Sequence, residues 1–213
     1  MMRVKVCGMT MLKQLSELED YGIDFAGLIF YENSPRFVMK SGLTPAMLKK
    51  EGLKLKKVGV FVNEPAEKLL KTVEEWKLDL VQLHGDESPQ YCELISNHVE
   101  TVKAFRIGKD DDITYKIQTY QDAVDLYLFD TLGQQLGGTG EKFDWNLLLT
   151  SSILKPFFLS GGIDPDDNDA IRKLSEKSNS LYALDINSKF EIAPGNKDIN
   201  KIKEFILKIK NIQ

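Results

Sequence analysis

The chain has 213 residues, 42% hydrophobic and 28% charged, with a formal net charge of −4. This suits one compact soluble domain over residues 1–213 and excludes a disordered chain. No basic run with interleaved aromatics supports nucleic-acid binding, and the apolar stretches are far too short to span a membrane.

Two cysteines, Cys7 and Cys92, make no disulfide framework. With no signal-peptide pattern, a reducing cytoplasm is the expected location. The two histidines, and the lack of a cysteine pair at metal-ligand spacing, argue against a zinc site.

In chain order, strand-length apolar runs alternate with segments of helical spacing. Val4–Cys7 is followed by a helix over Met11–Tyr21, with Leu12, Leu15 and Leu18 on one face. Phe25–Phe30 is followed by a short helix with Pro45 in its first turn, where a missing N–H costs little. After Val58–Val62, Pro65 opens a helix through Trp76 whose buried stripe is Ala66, Leu69, Leu70, Val73 and Trp76. Leu80–His84 precedes a helix started by Ser88-Pro89, with Ser88 as N-cap. Thr101–Phe105 leads to a helix over Asp111–Tyr120, and Leu126–Asp130 to a short one over Phe143–Leu149. Phe157–Ser160 leads to a helix starting at Asp164-Pro165. Leu181–Asp185 is the last run, and Asp198 caps a final helix striped by Ile199, Ile202, Phe205, Ile206 and Ile209.

Eight such units predict an α/β fold, a single-domain (β/α)8 TIM barrel with its active site at the C-terminal ends of the strands. An open doubly wound sheet shares the alternation. Eight units, with polar residues at almost every strand end, favour the barrel.

Those strand ends carry the candidate chemistry. Gly137-Gly138-Thr139-Gly140 follows the sixth run and Ser160-Gly161-Gly162 the seventh. Each cluster by itself reads as a tight turn. Two on adjacent strand ends point to backbone N–H groups cradling a phosphate. Arg36, one of only four arginines, follows the second run. It is either a surface residue or a two-point grip on a carboxylate. Cys7 is either a buried hydrophobe or, as a thiolate facing the barrel mouth, a nucleophile or base. Asp130 and Asp185 each either cap a loop or act on a ligand, Asp130 as a general acid where its surroundings favour the protonated form. His84, in Gln82-Leu83-His84-Gly85-Asp86-Glu87, either acts on a substrate or is hydrogen-bonded among loop groups. Cys92 and His98 read as structural or surface residues.

Taken together these strings resemble the phosphoribosylanthranilate isomerase family of tryptophan biosynthesis. The matching segments are Val4-Lys5-Val6-Cys7-Gly8-Met9-Thr10, Ser34-Pro35-Arg36, Gly59-Val60-Phe61-Val62-Asn63 and Val81 to Glu87. They continue with Phe129-Asp130-Thr131, Gly137 to Gly140, Phe143-Asp144-Trp145, Leu159-Ser160-Gly161-Gly162 and Pro194 to Asp198. Their order is the family's, and they span nearly the whole chain. The resemblance implies an Amadori rearrangement of N-(5-phosphoribosyl)anthranilate to 1-(2-carboxyphenylamino)-1-deoxyribulose 5-phosphate, with no cofactor and no metal. It implies Cys7 as general base, Asp130 as general acid and Arg36 on the anthranilate carboxylate. Gly138, Gly140, Gly161, Gly162 and Ser188 would hold the phosphate, with Gln82, His84 and Asp185 completing the substrate site. The partner implied is a small phosphorylated substrate; contact with other enzymes of the pathway is left open.

One segment departs from the family pattern. Asn187-Ser188-Lys189 stands where a Ser-Ser-Gly turn is usual, so either the turn shifts or Lys189 adds positive charge near the phosphate. Three rival readings stand beside the isomerase. A histidine-pathway sugar isomerase needs acidic residues where Cys7 and Arg106 stand. Indole-glycerol phosphate synthase needs lysine and glutamate at strand ends, a set that is missing here. The last rival is a catalytically silent binding module, against which the presence of Cys7, Asp130 and Arg36 counts.

Overall fold

The computed structural model describes residues 2–132 and 142–210. Eight parallel strands pair in sequence order and close on themselves: β1 (Arg3–Val6), β2 (Phe25–Ile29), β3 (Lys56–Phe61), β4 (Leu80–Leu83), β5 (Glu100–Ile107), β6 (Leu126–Thr131), β7 (Phe157–Leu159) and β8 (Leu181–Ile186). The predicted barrel is therefore the observed one. Closure brings Lys5 of β1 into register with Asp185 of β8, and the Cys7 N–H donates to the Ile186 carbonyl at 2.9 Å.

The helices are α1 (Leu12–Asp20), α2 (Pro45–Glu51), α3 (Ala66–Trp76), α4 (Pro89–Ser96), α5 (Ile113–Ile117), α6 (Asn146–Thr150), α7 (Asn168–Lys177) and α8 (Ile199–Lys210). Their starts follow local chemistry. Thr44 Oγ1 accepts from the Met47 N–H ahead of Pro45, Ser88 Oγ from that of Tyr91, and Asp198 Oδ1 from that of Lys201.

Two predicted starts are displaced. Asp164-Pro165 forms a turn, because the Asp164 N–H donates to Asp167 Oδ2 at 2.6 Å and the Asp167 N–H to the Asp164 carbonyl; α7 begins only at Asn168. Similarly, Asp144 Oδ1 accepts from the Asn146 N–H and side chain, so α6 starts at Asn146 rather than Phe143. The expected helix over Asp111–Tyr120 is α5 followed by a 3₁₀ turn, Gln118–Tyr120. A hairpin that the sequence reading did not contain, β9 (Glu191–Ala193) with β10 (Asn196–Lys197), follows the last barrel strand.

The core has two compartments. A large one between sheet and helices holds Val4, Val6, Val81, Leu83, Phe129 and the apolar stripes of the helices. A smaller one fills the barrel with Phe25, Val58, Leu80, Val102, Leu126, Leu128, Phe158 and Ala183. Side chains two apart share a face of a strand. On β4, β6 and β8 the inward positions therefore run from apolar to polar towards the C-terminal end: Leu80, Gln82, His84; Leu128, Asp130; Ala183, Asp185. That gradient makes the top of the barrel the reactive face.

Candidate active site

A pocket of about 730 Å³, open mouth included, lies at this face. It is lined by Cys7, Gln82, His84, Asp130, Gly161, Gly162, Asp185 and Ser188, so eight of the predicted site residues converge there. Ile29, Val60 and Val62 add an apolar lining, and Lys189 also contributes. Gly138 and Gly140 lie outside the described residues.

Below the pocket runs a chain of polar contacts. Lys5 Nζ donates to Asp185 Oδ2 at 3.0 Å and to Gln82 Oε1 at 2.5 Å. The Gln82 amide nitrogen meets His84 Nδ1 at 2.7 Å. His84 Nε2 stands 3.3 Å from Asp130 Oδ2, but off the hydrogen-bonding direction. Asp130 Oδ1 accepts from the Thr131 N–H at 2.8 Å. Asp185 Oδ1 is buried and has no partner among the described residues, although it belongs to a pocket-lining side chain.

Burial is the largest influence on the titrating groups. It pushes the Cys7 thiol up, against the pull of Lys5, Lys197 and Arg36. It pushes the Asp185 carboxyl up in the same way, with Lys5 opposing. Burial alone would lower the Lys5 ammonium, but Asp185 and Cys7 outweigh it and hold Lys5 above the usual lysine range. The lysine is therefore a fixed positive charge beneath the pocket.

Gly161 has φ of +85°, in the region that favours glycine, and its close approach is equally demanding. A Cβ there would stand 2.5 Å from the Thr131 nitrogen and 3.2 Å from Asp130 Oδ1. The glycine lets the β7 loop press against the carboxyl that ends β6.

Arg36 lies elsewhere than on the pocket lining. Its Nε and Nη2 donate to both oxygens of Glu191, at 2.6 to 3.0 Å. Glu191 also accepts from the Gly195 N–H and from Lys197 Nζ, and Lys197 reaches Asn187 Oδ1 at 2.8 Å. Burial would raise the Glu191 carboxyl, but Arg36 and Lys197 outweigh it and hold it below the usual range. Lys189 takes no left-handed conformation; the segment Ser188–Phe190 forms a 3₁₀ turn.

Lys5, Glu191 and Lys197 are the participants that sequence reasoning missed. For Lys5 a signal existed: Val4-Lys5-Val6-Cys7 alternates, which puts the lysine on the same face as Cys7.

A sequence profile described as N-(5′-phosphoribosyl)anthranilate (PRA) isomerase matches residues 4–208. The chain belongs to this family. It is 41% identical to the N-(5′-phosphoribosyl)anthranilate isomerase of Parabacteroides distasonis over 98% of this chain and 93% of that protein. It is 38% identical to that of Caldanaerobacter subterraneus subsp. tengcongensis over the full length of both. The crystal structure of the Thermotoga maritima isomerase superposes with a TM-score of 0.83 at 32% identity, covering 99% of each chain. A further isomerase structure, in complex with reduced 1-(o-carboxyphenylamino)-1-deoxyribulose 5-phosphate, superposes with a TM-score of 0.79 at 29% identity and 99% coverage of each. The reaction is thus the aldose–ketose isomerisation of PRA in tryptophan biosynthesis, and the rival sugar isomerase and synthase readings fall away. Among the described residues, no helix is long and apolar enough to cross a membrane.

Proposed function

We propose that Cys7 and Asp130 perform the two proton transfers of this isomerisation in the cytoplasm, on a phosphorylated substrate anchored at both ends. The observation that carries this reading is their placement: a thiol ending β1 and a carboxyl at the end of β6 open into one pocket. Asp130 delivers a proton to the ribose ring oxygen as the C1–O bond breaks, and the anilino nitrogen supplies electrons to form a C1=N bond. The Cys7 thiolate then takes the C2 proton. The C2–H electrons form C1=C2, and the C1=N electrons return to nitrogen, giving an enolamine. Return of the thiol proton to C1, and of the 2-hydroxyl proton to the Asp130 carboxylate, yields the ketone and restores both groups.

The surroundings support the same orientation. Ile29, Val60 and Val62 suit an aromatic ring. Arg36 uses Nε and Nη2 on Glu191, which leaves Nη1 for the ring carboxylate. Asp185 Oδ1, unpartnered among the described residues, suits a ribose hydroxyl. The second hydrogen of the Gln82 amide remains for the substrate, and His84 lines the same pocket. Gly161, Gly162 and Ser188 suit the phosphate, to which the 137–140 segment, including Gly138 and Gly140, would add.

The test is to form PRA in situ from anthranilate and phosphoribosyl pyrophosphate and follow the loss of its fluorescence on adding protein. Cys7→Ala and Asp130→Asn are expected to lose roughly 10²–10⁴-fold in kcat. Decay that persists in either variant would overturn that residue's assignment. No acceleration by folded wild type would favour the silent binding module.

A further inference from the structure

Lys5 is 1% exposed, and a buried ammonium is costly unless every donor is used. Two of its donors go to Asp185 and Gln82. Its third neighbour is Cys7. The Lys5 Cε and the Cys7 Sγ pack over the same glycine, 3.1 and 2.8 Å from where a Cβ on Gly27 would stand, and each group's charge acts on the other. The other charged groups around the thiol are Asp185, which opposes its ionisation, and Lys197 and Arg36, which favour it but are engaged by Glu191. Lys5 is the strongest of the favourable influences.

The same ammonium reaches the acid by a second route. It takes the Gln82 carbonyl oxygen, so the amide nitrogen must face His84. An amide nitrogen only donates, which makes His84 Nδ1 the acceptor. The neutral ring then carries its hydrogen on Nε2, 3.3 Å from Asp130 Oδ2. That Nε2 is buried and, the Asp130 contact being off the hydrogen-bonding direction, has no hydrogen-bond partner among the described residues.

We propose that Lys5 is a positioning residue for both proton-transfer groups: its ammonium stabilises the Cys7 thiolate directly, and by fixing the Gln82 amide it sets the His84 tautomer, with the ring hydrogen on Nε2 beside Asp130. The proposal rests on the assignment of Cys7 as base and Asp130 as acid. It makes one buried charge the common support of two groups that line one pocket.

Two measurements test it. The first titrates the Cys7 thiolate by its ultraviolet absorbance in a Cys92→Ser background, with and without Lys5→Met. Without the lysine the midpoint should rise by about one pH unit or more. An unchanged midpoint in the folded variant overturns the thiolate role. Lys5→Met strips Asp185 of its partner; if it fails to fold, Lys5→Met with Asp185→Asn is titrated against Asp185→Asn alone, because the Asp185 charge itself opposes ionisation of the thiol. The second measurement needs no change at the site. Nitrogen-15 spectra of a His98→Gln protein, in which His84 is the remaining histidine, should show the Nε2–H tautomer above neutral pH; the Nδ1–H tautomer overturns the relay. Neither readout depends on turnover. An error in the acid–base assignment appears instead as activity surviving Cys7→Ala or Asp130→Asn.

Discussion

Arg36 meets Glu191 edge-on, Nε 2.9 Å from Oε1 and Nη2 2.6 Å from Oε2, across 155 positions of sequence. The pairing ties the loop after β2 to the hairpin after β8, and it sets which edge of the guanidinium is left for a ligand. Glu191→Gln keeps the shape and removes the charge. It should raise KM several-fold while leaving kcat nearly unchanged, and cost about 1–3 kcal/mol of stability. Steady-state kinetics and denaturant melts check this; a kcat loss with unchanged KM would place Glu191 in the chemistry instead. Because the folded-state pKa is depressed, the stabilisation is present above the ordinary glutamate value of about 4.3 and is lost as pH falls through the lower folded value.

The Cys7 thiol makes a prediction of opposite sign. Its net shift is upward, with burial as the main cause. Only the thiolate is nucleophilic, so in a Cys92→Ser background the rate at which iodoacetamide alkylates Cys7 should rise with pH and keep rising beyond about 8.5, where a free cysteine is half ionised. A profile between pH 6 and 9.5 decides it: a plateau reached below pH 8 would mean that burial does not hold the thiol protonated.

Gly161 can be compared with Gly42. Both have positive φ, +85° and +83°, but a Cβ at Gly42 meets nothing within 4 Å. Replacement of either by alanine should cost about 1–3 kcal/mol from backbone strain. Only Gly161→Ala should also lower kcat, because its methyl pushes on Thr131 and Asp130. Equal kinetics in the two variants would sever the link between the β7 loop and the acid.

Lys189 lines the pocket but is itself exposed. If its charge assists the phosphate, Lys189→Ala should raise KM by up to about fivefold at low salt and less at high salt. A KM indifferent to the substitution at low salt leaves the lysine without a binding role.

The barrel was legible because each strand is a short apolar run with a polar tip, and each helix an apolar stripe. Eight repetitions of that pattern leave few topologies. The misplaced starts of α6 and α7 have one cause. The sequence places the starts at Phe143 and at Asp164-Pro165, yet Asp144 and Asp164 each sit in a turn that satisfies nearby backbone first. The β9–β10 hairpin carries too few residues to show any periodicity. In the site, residues at strand ends could be read from position and resemblance. Their partners could not: Lys5 finds Asp185 only through closure, 180 positions away, and Arg36 finds Glu191 only through the hairpin.

That seam between β1 and β8 gives the chain a built-in order of events. Cys7 takes its backbone partner, and Lys5 its counter-ion, from the last barrel strand to be synthesised. A nascent chain that has left the ribosome as far as β7 already carries its thiol and Asp130, yet lacks the carbonyl of Ile186 and the carboxylate of Asp185 that β8 supplies. Activity therefore reports completed folding. A truncated product would be inert towards substrate, and mixing two complementary fragments should restore turnover only as fast as the seam forms.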